Sequence, residues 1–157
     1  MKLLYLHGLR SGPHGYKPNW LRNHGCEVVA PQLVDDDFAA SVEIARQSLT
    51  ADSFDVVVGS SRGGAVALAL DTGNTPRVVI APAWRRLGVT PVACATTIIL
   101  HSPHDDLVPI ADSRELAAQW QLPAGRLVEI GERHTMSDSA ALAALLDAIR
   151  LVAPTPK

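Results

Sequence analysis

Short, nearly continuous apolar runs alternate along this chain with stretches whose apolar residues recur every three or four positions. The runs at 2–7 (KLLYLH), 26–31 (CEVVAP), 55–60 (DVVVGS), 77–82 (RVVIAP), 96–101 (TTIILH) and 126–131 (RLVEIG) are rich in β-branched residues. A strand with one face in water alternates apolar and polar residues. Runs like these fit strands buried on both faces, which belong to parallel sheets covered by helices. Between them, residues 38–50 place Phe38, Val42, Ala45 and Leu49 on one stripe, and 111–120 reads as a second helix. From about Ser137, Leu142, Leu145, Leu146 and Ile149 line up at the spacing of an amphipathic helix. The first connection holds a short helix from Tyr16 to His24, closed by Gly25. The pattern predicts one domain over 1–157, a three-layer α/β/α sandwich on a six-stranded, mainly parallel sheet, with 152–157 as a frayed tail.

Composition narrows the partners. A length of 157 residues suits a single core. Net charge is −2 and no basic run exceeds WRR, so nucleic acid and anionic membrane are poor candidates. The apolar start MKLLYL is too short for a signal-peptide core or a membrane span. Cys26 and Cys94 form no CxxC and read as small core hydrophobes, consistent with a reducing cytoplasm.

The most informative stretch is VVVGSSRGGAVALAL, residues 56–70. A phosphate-binding loop would need GxxxxGK[ST], but no lysine follows Gly59 until the last residue. A dinucleotide fingerprint would need GxGxxG, which G-S-S-R-G-G does not supply. The stretch fits GxSxG as Gly59, Ser60, Ser61, Arg62 and Gly63. Between a buried strand and a helix, this pattern holds a serine on a sharp turn above the sheet, and small residues let the turn close. Ser61 is the candidate nucleophile, with Ser60 pointing the other way.

A serine hydroxyl needs a base, usually a histidine oriented by a carboxylate, and here each should follow a later strand in the order acid, then histidine. Asp105 and Asp106 follow TTIILH, and His134 follows RLVEIG. His7, His14, His24, His101 and His104 are worse placed and read as loop polarity or local hydrogen bonding. Backbone N–H groups of Leu9, in the loop after the first strand, and of Arg62 are the candidates for stabilising an oxyanion.

With these residues in order, the chain resembles the α/β-hydrolase superfamily, and within it small bacterial esterases of the YqiA type and serine hydrolases similar to retinoblastoma-binding protein 9. LYLHGLRSGP, VVGSSRGG, HSPHDDLVP and GERHTMSD carry the resemblance over nearly the whole chain. It implies a D-x-x-V-P motif whose aspartate is the acid, which selects Asp105 over Asp106. Larger members begin with an antiparallel hairpin and insert a lid. Here the chain starts at the HG strand, and only Ala83 to Ala95 fills the lid position. The expected site is therefore open and shallow and suits a short-chain substrate, with Trp84, Arg85 and Arg86 as candidates to overhang its mouth. Arginine after the nucleophile departs from the usual small or apolar residue, so the Arg62 side chain could narrow or charge the pocket.

The expected function is a serine esterase or thioesterase acting on small soluble substrates, with no cofactor and no metal. Two rivals stand beside it. One is a metal-dependent hydrolase built on His101, His104, Asp105, Asp106 and His134. The other is an idle binding protein on a hydrolase fold.

Overall fold

Along the first strand, Leu3 and Tyr5 enter one apolar cluster while Leu4 and Leu6 enter another, on opposite faces of a single sheet. The computed structural model describes residues 1–155. In chain order its elements are β1 (Lys2–Leu6), α1 (Tyr16–Asn23), β2 (Glu27–Val29), α2 (Phe38–Ala51), β3 (Val56–Ser60) and α3 (Arg62–Ala69). There follow β4 (Arg77–Ile80), β5 (Thr97–His101), α4 (Ile110–Gln119), β6 (Leu127–Glu129) and α5 (Ser139–Val152). The strands lie in the order β2-β1-β3-β4-β5-β6, and every neighbouring pair is parallel.

The two faces are covered by different helices. Leu21 of α1 and Leu145 and Ile149 of α5 pack on the side of Leu3, Val58, Ile80 and Leu100. Ala45 of α2, Val66 and Leu68 of α3 and Leu116 of α4 pack on the side of Leu4, Val57, Val79 and Ile99. Two buried layers explain why the central strands read as unbroken apolar runs. β2 and β6 depart from that expectation: they are sheet edges, and most of their residues are half-buried.

Parallel neighbours need crossovers, and four of the five carry a helix. The fifth, from β4 to β5, has only turns and extended chain. It is pinned flat on α3, because the buried Arg77 guanidinium donates to the carbonyls of Ala67, Leu70 and Val92. The Val92 amide also bonds the Leu68 carbonyl at 2.8 Å.

α5 runs through Val152, and the Ala153 amide donates to the Ile149 carbonyl at 2.9 Å. The chain thus stays attached past the point where the tail was expected to begin; residues 156–157 of that tail lie outside the described residues. Cys26 is core, as expected, but Cys94 is half-exposed in the β4–β5 crossover, which offers it no core to enter. No described helix is long and apolar enough to cross a membrane.

Candidate active site

The chain reverses its side of growth between β1 and β3, and in open parallel sheets ligands bind beyond the strand ends at such a point. Ser61 stands there, between β3 and α3, with φ 53° and ψ −114°. Few non-glycine residues adopt such a backbone, and strain of this kind costs on the order of 1–3 kcal/mol. Close packing enforces it. A Cβ on Gly59 would lie 2.9 Å from the Gly64 Cα, and one on Gly63 would lie 2.5 Å from the His7 carbonyl oxygen. Only glycines let β3, α3 and the end of β1 converge beneath the serine.

His134 comes from the loop after β6. That loop is held by Met136, which is buried although its φ is 48°, and by Asp138, which caps α5 at Ala141 and also accepts from the Glu132 amide at 3.1 Å. The loop delivers His134 Nε2 to 2.9 Å from Ser61 Oγ and Nδ1 to 2.7 Å from Asp105 Oδ2. A carboxylate only accepts, so the proton sits on Nδ1 and Nε2 is left to accept from the serine hydroxyl.

Asp105 is held from several sides. Its Oδ1 accepts from the Leu107 and Val108 amides, each at 2.8 Å, and its side chain is fully covered. Burial pushes its pKa up, but those amides and His134 outweigh it and hold the carboxyl below the ordinary value. Asp106 is exposed. Of the two neighbouring aspartates, it is Asp105 that is brought to the histidine.

Sequence reasoning gave His101 only loop polarity, local hydrogen bonding or a metal-ligand role, and did not place it behind the acid. It ends β5 wholly buried, with Nε2 at 3.1 Å from the same Asp105 oxygen and 3.0 Å from the Val108 carbonyl. A carbonyl only accepts, so Nε2 carries the proton, and Nδ1 accepts from the Ser113 hydroxyl at 2.7 Å. Burial pushes its pKa down. The available signal was its place as the last residue of a buried strand, four positions before the acid.

The Leu9 and Arg62 amides have no acceptor within the protein among the described residues. The loop bearing Leu9 is fixed by buried His7, whose Nε2 accepts from the Leu33 amide at 2.9 Å while Nδ1 donates to the Gly8 carbonyl. The Arg62 side chain does not charge the pocket. It is buried beneath α2, donating to Ser41 Oγ and the Val34 carbonyl with its guanidinium over the Phe38 ring. Ser60 lies beside the buried Tyr5 phenol, and both line the same cleft as Ser61.

Ser61 and His134 line a cleft of about 510 Å³, within the usual range for a small-molecule site. Leu9, Tyr16, Lys17, Leu87 and Leu107 also line it. The cleft is open, as a capless chain suggests, but these side chains give it more wall than the expected shallow surface. Two of the three residues expected at its mouth are elsewhere. Trp84 is buried with its indole N–H on the Asp112 carbonyl, and Arg85 pairs with Asp112 and Glu115 of α4. Arg86 alone of the three lines the cleft.

Of the residues of the metal alternative, His101, Asp105 and His134 converge, but as hydrogen-bond partners, with both histidines on Asp105. His104 and Asp106 are exposed, the proton-bearing nitrogens of His101 and His134 are spent on Asp105, and among the described residues no three potential ligands could share an ion.

No family model and no curated protein matches this sequence. Solved structures do. A hydrolase-superfamily protein from Xanthomonas campestris pv. campestris aligns at TM-score 0.80 and 21% identity, over 96% of each chain. Est1E from Butyrivibrio proteoclasticus aligns at TM-score 0.68 and 14% identity, over 96% of this chain and 85% of its own. One structure described with LipS and LipT, two metagenome-derived lipolytic enzymes, aligns at 0.66 and 13%, over 96% and 92%. The fold is that of the α/β hydrolases, without an antiparallel hairpin or a cap among the described residues.

Proposed function

We propose that this protein is a serine hydrolase that cleaves carboxylic esters or thioesters of small molecules through an acyl-enzyme. The observation that carries the reading is the continuous chain of hydrogen bonds from Ser61 Oγ to His134 Nε2 and from His134 Nδ1 to Asp105 Oδ2. Ser61 attacks the carbonyl carbon as His134 Nε2 takes its proton, and Asp105 stabilises the imidazolium. The carbonyl oxygen gains charge within reach of the Leu9 and Arg62 amides. His134 then protonates the departing alcohol or thiol, leaving the acyl group on Ser61. Water, deprotonated by the same nitrogen, attacks the acyl-enzyme, releases the acid and restores the serine. The buried side of Asp105, backed by His101 and two amides, keeps the acid ionised and the imidazole in one orientation.

Hydrolysis of 4-nitrophenyl butyrate by the parent and by Ser61→Ala tests this. The variant should fold normally and lose on the order of a million-fold in turnover. A Ser61→Ala protein working near the parent rate would overturn the reading.

A further inference from the structure

Five surface cations of this chain pair with a carboxylate: Lys2, Arg46, Arg85, Arg114 and Arg150. Among the described surface cations without a carboxylate partner, Arg22, Arg126 and Arg133 lie elsewhere, while Arg10, Lys17 and Arg86 all line the cleft that contains Ser61 and His134. Among the described residues, no hydrogen bond or ion pair engages the guanidinium of Arg10 or of Arg86. Asp35 lies near Arg10 but accepts from its backbone amide, at 3.3 Å. No aspartate or glutamate lines the cleft.

Lys17 donates to the Thr135 carbonyl, next to His134, and that single bond leaves two ammonium protons without an acceptor. Burial pushes its pKa down to about 8 with no carboxylate to oppose the fall. The protein as a whole carries −2, so this positive concentration runs against its overall charge. Leu9, Tyr16, Leu87 and Leu107 are exposed large apolar side chains, and they line the same cleft. Charge and apolar surface together describe a ligand with both properties.

Building on the serine-hydrolase reading, we infer that the substrate carries a carboxylate or phosphate, joined through a short apolar stretch to the scissile ester, and that Arg10, Lys17 and Arg86 hold that anion. Arg10 follows the Leu9 oxyanion amide in the chain, and Lys17 contacts the residue after the base. An anion held there fixes the ester's orientation as well as its affinity.

Two matched pairs of esters test this and distinguish which half of the substrate bears the charge. Mono-4-nitrophenyl glutarate against 4-nitrophenyl valerate places the anion on the acyl side. The butyrate esters of 4-hydroxybenzoate and of its methyl ester place it on the leaving group. The parent protein should favour the anionic member of at least one pair by about tenfold in kcat/KM at low salt, less at about 0.5 M salt. Arg10→Gln, Lys17→Gln and Arg86→Gln should each lower that ratio by roughly two- to fivefold. Comparing ratios within one variant cancels any general loss of fold or turnover. Ratios at or below one in both pairs, with the neutral esters hydrolysed, would overturn the inference and leave the serine hydrolase standing. So would a preference that all three variants retain. Failure to hydrolyse any of the four esters would overturn the underlying reading, and this one with it.

Discussion

Gly63 packs so closely against Leu6 that a Cβ on the glycine would be driven into the Leu6 carbonyl oxygen, with the His7 carbonyl at 2.5 Å. The end of β1 and the first turn of α3 therefore meet through bare backbone, which brings the Leu9 loop and Ser61 together. Gly63→Ala should cost more than about 3 kcal/mol, because backbone rather than a flexible side chain must move. Gly25→Ala is the control. It has a φ of +84° but nothing within 4 Å of the added carbon, so about 1–2 kcal/mol of conformational strain is expected. Urea denaturation of the two variants gives the comparison, and equal losses would contradict it.

Asp105 and Asp106 are neighbours with different fates. Asp105→Asn replaces an acceptor with a group that can present an N–H to the imidazole and leave it in the wrong tautomer. Turnover should fall by roughly four decades at neutral pH. Asp106→Asn alters an exposed side chain and should cost less than about twofold. Steady-state rates on one ester separate them, and a reversed order would mean that His134 is oriented by the wrong carboxylate.

His101 predicts a pH dependence of stability. Burial holds its folded pKa below the ordinary value near 6.5. Between the two values the unfolded chain binds a proton that the folded chain refuses, so stability falls as pH drops below about 6.5. His101→Gln should flatten the slope in that window while costing about 1–3 kcal/mol at pH 8, where the lost hydrogen bonds remain. Asp105 acts in a lower window. Its depressed folded pKa contributes stability above about pH 4 that is lost as pH falls further. Denaturation at a series of pH values distinguishes the two, and parallel curves for parent and His101→Gln would refute the assignment.

Ser60 adjoins the candidate nucleophile, but His134 Nε2 bonds Ser61 Oγ and not Ser60. Ser60→Ala should therefore keep turnover within about tenfold of the parent, a packing-scale loss rather than a chemical one. A collapse like that expected for Ser61→Ala would put Ser60 in the reaction.

What the sequence disclosed depended on periodicity and local motif. The central strands were legible because both faces are buried, so Val56, Val57 and Val58 are all apolar. The serine turn was legible because its glycines stand in one five-residue motif, although only Gly59 is crowded locally, by Gly63 and Gly64, and Gly63 is crowded by the distant Leu6 and His7. Side-chain direction in loops was not legible. Nothing local distinguishes Arg85, which reaches across to α4, from Arg86, which lines the cleft. Trp84 reads as a mouth residue until α4 is seen covering it. The place of His101 behind the acid was not legible because Asp105 and Val108 fold back onto it from the following loop while Ser113 reaches it only from α4.

The central claim is that Ser61 is activated by His134, and a fluorophosphonate probe reads it directly, since such reagents react with activated serines and barely with ordinary ones. Intact-mass and peptide mass spectrometry after labelling should find a single phosphonyl adduct per chain, located on Ser61, retained in Ser60→Ala and lost in both Ser61→Ala and His134→Ala. An unlabelled parent protein, or an adduct on any other residue, would contradict the account.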